Sequence, residues 1–124
     1  MMDVIFTICA KNYLAQALAL KSSIVETNPE RKFFIFLSDT TANIEDVDVI
    51  PLDDSWIPGW SSMAFKYNVI EFSTSIKPFC INFLFQTYEK VVYLDPDIYV
   101  MENLDPIFNS LDTKDVVITP HYCE

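Results

Sequence analysis

Lys90-Val91-Val92-Tyr93-Leu94-Asp95-Pro96-Asp97-Ile98-Tyr99-Val100 sets an apolar run against a pair of carboxylates and then resumes as apolar chain. Val92, Tyr93 and Leu94 show no alternating polar face, which predicts a central strand covered on both sides. Carboxylates at i and i+2 at the carboxyl end of such a strand point to one side, into the crevice where open α/β sheets bind ligands. Two anionic groups held that close repel each other unless a cation lies between them, and a hard divalent ion suits oxygen donors. Pro96 fixes its own φ and removes one donor, so the corner is stiff before any ion arrives. The plain alternative is that Asp95 and Asp97 are turn formers.

Outward from that run, strands and helices alternate. Val4 to Cys9 predicts a first strand, and Asn12 to Thr27 a helix with Leu14, Ala17, Leu18, Lys21, Ile24 and Val25 at three-and-four spacing. Asn12 is a candidate cap and Asn28-Pro29 a stop. Phe33 to Leu37 is fully apolar and predicts a second, central strand ending at Ser38-Asp39; Asp48 to Leu52 predicts a third, pushed toward an edge by Pro51. Asp53 to Ser61 is irregular and holds the single glycine and both tryptophans. Ser62 to Glu71 and Ser75 to Tyr88 read as helices, the second with Ser75 as cap and Pro78 in the first turn. Asn103 to Leu111 suggests a short helix and Val116 to Thr119 a last strand. The order implies one α/β domain over residues 1–124, with a mostly parallel sheet flanked by helices.

Composition narrows the function. With 51% hydrophobic and 15% aromatic residues in 124, the chain can bury one sizeable core. Eight basic residues against eighteen acidic give a formal charge of −10, which argues against a nucleic-acid partner and leaves a phosphate-bearing ligand in need of a bridging cation. One glycine cannot build the Gly-rich phosphate cradles. Cys9, Cys80 and Cys123 are odd in number and far apart, so neither a disulfide framework nor a zinc site is expected. The run Val4 to Ala10 is too short to span a bilayer and follows Asp3 rather than a basic segment; a cytoplasmic protein without a transmembrane segment is the expectation.

Four local patterns, in order, resemble the nucleotide-sugar-binding half of GT-A-fold glycosyltransferases, closest to the glycogenin-like retaining group of family 8. Phe6-Thr7-Ile8-Cys9-Ala10-Lys11-Asn12-Tyr13-Leu14 is similar to that family's first strand and helix, and Phe34-Ile35-Phe36-Leu37-Ser38-Asp39 to its second strand. Phe72-Ser73-Thr74-Ser75-Ile76-Lys77-Pro78-Phe79 resembles the segment from which a basic residue reaches the donor. Val92-Tyr93-Leu94-Asp95-Pro96-Asp97 looks like the metal-binding D-x-D. Lys11-Asn12 stand where relatives often carry an acidic residue.

The resemblance implies a Rossmann-like GT-A domain in which Asp95 and Asp97 hold Mn²⁺ or Mg²⁺ against the diphosphate of a UDP-sugar, for hexosyl transfer to an unknown acceptor such as a glycan, lipid or protein. It implies nucleotide-sugar contacts from Ala10, Asn12, Tyr13, Asp39, Lys77, Leu94, Asp95, Pro96 and Asp97. Other roles stand beside these: helix cap for Asn12, core packing for Tyr13, a solvated helix lysine for Lys77. Lys77 is favoured as functional by its expected place in the first helical turn, where the macrodipole disfavours a cation. Relatives continue with an acceptor site and a third metal ligand, usually histidine. His121 comes too early in order for that role, so a truncated domain is expected, with exposed apolar surface and self-association. Two other functions compete: a haloacid-dehalogenase-like phosphatase, which also places D-x-D after an apolar strand, and a non-catalytic sugar-nucleotide-binding or interaction domain.

Overall fold

The computed structural model describes residues 3–38, 48–51 and 69–118, with 69–75 described by their backbone alone. Four strands, β1 (Asp3–Cys9), β2 (Lys32–Leu37), β3 (Val49–Pro51) and β4 (Lys90–Tyr93), pair wholly in parallel in the order β3-β2-β1-β4. A 3-10 turn (Lys11–Tyr13) and α1 (Leu14–Thr27) join β1 to β2. α2 (Val69–Phe85) precedes β4, and a short α3 (Asp105–Ser110) follows it. A parallel sheet with helices on both faces is an α/β, Rossmann-like arrangement.

Residue alternation along β1 and β2 separates two apolar layers. Ile5 and Cys9 of β1, with Phe33, Ile35 and Leu37 of β2, bury against Ala17, Leu20 and Ile24 of α1 and Phe108 of α3. Val4, Phe6 and Ile8, with Phe36, meet Ile76, Cys80 and Leu84, which recur every four residues along α2. Phe6 anchors this second layer, edge-on to Phe36 at 5.8 Å and to Tyr93 at 5.1 Å between ring centroids. Each fully buried side chain of this size contributes roughly 1.5–3 kcal/mol relative to exposure.

At the amino-terminal end of the sheet, Arg31 gathers the first layer. Its guanidinium lies 2.7 Å from Asp105 and 3.4 Å from Asp3, donates to Asn28 (3.0 Å) and Asn103 (3.3 Å), and stacks 4.1 Å over the Phe108 ring. Such a planar fork can serve several acceptors and an aromatic face at once, which an ammonium cannot.

Several expectations are corrected. β4 is an edge strand among the described residues, with its four side chains only half-buried, and β1 and β2 are the central ones. The apolar run Val91-Val92-Tyr93 looks alike whether both faces are covered or one edge is open. α2 begins at Val69, so Ser75 is not its cap and Pro78 sits in the helix interior, where the turn simply lacks one N–H donor. Asn12 lies within the 3-10 turn, and neither that turn nor α1 takes a side-chain cap. Val116, Val117 and Ile118 form no strand and are exposed. Asp39, the segment 53–61, most of the helix expected over 62–71, Thr119, His121 and Cys123 lie outside the described residues. Cys9 and Cys80 are core side chains. No helix among the described residues is long and apolar enough to cross a membrane.

Candidate functional site

The strand order reverses between β1 and β4: the chain steps from β1 outward to β2 and β3, then crosses back to the other side of β1. In doubly wound sheets the carboxyl ends of the strands flanking such a switch point part to leave a ligand crevice. β1 delivers Ala10 to this place, and β4 delivers Leu94 to Asp97.

Ala10 is buried and extended, and its carbonyl accepts the N–H of Tyr13 at 3.0 Å, which starts the 3-10 turn. Lys11, Asn12 and Tyr13 project from that turn and are exposed. Tyr13 keeps 47% of its surface open, which rules out the core-packing role. Across the switch point, the N–H of Leu94 donates to the Phe6 carbonyl at 3.0 Å, so the ladder continues one residue past β4. Leu94 packs, half-buried, in the α1 layer.

The chain then turns sharply. The N–H of Ile98 donates to the Asp95 carbonyl at 3.2 Å, closing a four-residue turn with Pro96 at its second position, the place its fixed φ suits. Asp95 and Asp97 are therefore both turn residues, and both are exposed. Strand alternation does not govern their directions, contrary to expectation; the turn-forming and ligand-binding readings apply to the same two side chains.

Lys77 and Tyr93 meet beside this turn. The Lys77 ammonium lies 4.0 Å from the centre of the Tyr93 ring, a cation–π contact between α2 and β4. Lys77 is more than two turns from the start of α2, so the helix dipole does not bear on it. Burial, and then the negative charge of the nearby Asp95 carboxylate, hold the Tyr93 phenol above its ordinary pKa. Tyr93 is the site residue that sequence reasoning passed over as strand filling, although its place two residues before Asp95 was visible.

Beyond the turn the chain is stitched to α1. Val100 is buried, and its N–H donates to Ser23 Oγ at 2.9 Å; the Leu104 N–H donates to Asn28 Oδ1 at 2.8 Å, and Asn103 Nδ2 to the Thr27 carbonyl at 3.1 Å. Ser23 is a buried polar residue on an otherwise apolar face of α1, and Asn28 is buried just past its end; both are satisfied by these bonds.

Among the described residues no three or more His, Cys, Asp or Glu side chains gather as a metal-binding group. Two exposed hard oxygen donors in a rigid turn do suit the partial coordination typical of Mg²⁺ or Mn²⁺, which take one or two carboxylates and leave the remaining positions to water and substrate phosphates. Compared with family models, curated proteins and solved structures, the chain matches none.

Proposed function

We propose that this chain binds a nucleoside-diphosphate sugar, such as a UDP-sugar, through a divalent cation on Asp95 and Asp97, and that it serves glycosyl transfer as a GT-A-type domain. The observation that carries the reading is the Asp95-Pro96-Asp97 turn at the carboxyl end of β4, beside the switch point of a parallel sheet. Support comes also from Asn12 and Tyr13, exposed at the carboxyl end of β1: an amide suits the hydrogen-bonding edge of a base, and a tyrosine ring its face. Ala10 presents a small side chain where backbone and ligand would approach.

A bound Mg²⁺ or Mn²⁺ would supply Lewis acidity toward the diphosphate leaving group. The chain's own part is to hold that charge in place. Asp95 and Asp97 are fixed by the turn, while Lys77 offers a second positive group to a phosphate oxygen or sugar hydroxyl. At a formal −10 the protein otherwise repels a diphosphate.

Calorimetric titration with UDP tests the reading. Binding in Mn²⁺ that disappears in EDTA is the expected result; equal affinity in both overturns it.

A further inference from the structure

Lys77 and Asp95 approach the same aromatic ring, and yet among the described residues Lys77 forms no salt bridge with either Asp95 or Asp97. An ammonium on a flexible four-carbon stem beside two exposed carboxylates would ordinarily swing onto one of them. The Tyr93 ring supplies the competing attraction. Its face draws the Lys77 ammonium to 4.0 Å, and Phe6 packs against the same ring in a T-shaped contact at 5.1 Å between centroids.

We propose that Tyr93 is a positioning residue that acts as a spacer, holding the Lys77 ammonium off the Asp-Pro-Asp turn so that both carboxylates stay free for a cation and the ammonium stays free for an anionic ligand group. The inference rests on the metal-binding reading of Asp95 and Asp97. It assigns the effect to Tyr93 through two other side chains, not through contact with the ligand. Without the ring, Lys77 pairs with Asp95 and competes with the metal for it. Site charge is unchanged, but its arrangement is quenched.

The test is calorimetric titration of the full chain with Mn²⁺ alone, using wild type, Tyr93→Phe, Tyr93→Leu, Lys77→Met and the Leu/Met double variant, each checked for folding by circular dichroism. Tyr93→Leu should weaken Mn²⁺ binding about tenfold, whereas Tyr93→Phe, which keeps the ring and loses only the hydroxyl, should weaken it by no more than about threefold. Lys77→Met should improve Mn²⁺ affinity at least about fivefold more in the Tyr93→Leu background than in wild type, because only there does the ammonium sit on Asp95. A purely structural role for Tyr93 predicts no such coupling. Equal effects of Lys77→Met in the two backgrounds, or undiminished binding by Tyr93→Leu, overturn the spacer while leaving the metal site intact. A wild-type chain that takes up no Mn²⁺ overturns the metal reading itself, and the spacer with it.

Discussion

The main-chain N–H of Val100 donates to the buried hydroxyl of Ser23 across 2.9 Å, joining residues 77 positions apart. The same hydroxyl donates to the Leu20 carbonyl at 2.7 Å, so both of its roles are filled. Ser23→Ala leaves a buried N–H without an acceptor and should lower stability by about 1–3 kcal/mol, read from the urea midpoint. An unchanged midpoint would mean that water takes over the bond.

Asp97→Asn keeps the shape of the turn and removes one charge. The expected result is a loss of Mn²⁺-dependent UDP affinity of at least about tenfold with the melting temperature kept or slightly raised, since repulsion from Asp95 is relieved. A lowered melting temperature with nucleotide affinity intact would make the aspartates a structural corner only.

Arg31→Met tests the amino-terminal end of the sheet. The change strips Asp3, which is 14% exposed, of its cation and removes the stack on Phe108, so a loss of about 3 kcal/mol is expected in denaturant titration. Arg31→Lys should recover only part of it, because an ammonium cannot reach Asp3, Asp105 and the two asparagines together.

Alkaline pH should unfold the domain early. Burial pushes the Cys80 thiol from 9.0 up to about 12, and the Tyr93 phenol is shifted in the same direction. A raised folded-state pKa gives stability that is complete below the unfolded value and is lost as pH climbs through the folded one. The urea midpoint should therefore fall between pH ~8 and pH ~10.5, and Cys80→Ala should flatten that fall. A midpoint constant over this range would show that neither group is linked to unfolding.

Sequence periodicity located β1, β2, β3 and α1 because their side chains are sorted by the two layers they fill: Ile5 against Phe6, Ile35 against Phe36, Leu20 and Ile24 on one stripe. It misjudged elements whose surroundings decide them. Ser75 and Pro78 imitate the start of a helix, but α2 is already under way at Val69. Val116 to Ile118 have the composition of a strand, and no described strand pairs with them. The Asp-Pro-Asp corner was legible because proline and its two neighbours define a turn locally. Its ties to Ser23 and Asn28 were not, since hydrogen bonds across 76 or 77 positions leave no local pattern.

Those ties also decide which mutations the corner can survive. Val100 and Leu104 join α1 through main-chain N–H groups, which every residue except proline carries. The placement of the chain beyond the turn is thus stored upstream, in a serine of α1 and the asparagine that follows it. Apart from Asn103, whose amide bonds the Thr27 carbonyl, side chains between 98 and 104 can drift within the limits of volume and these two bonds still hold. A single proline at 100 or 104 would erase one of the two main-chain anchors without touching a residue of the site.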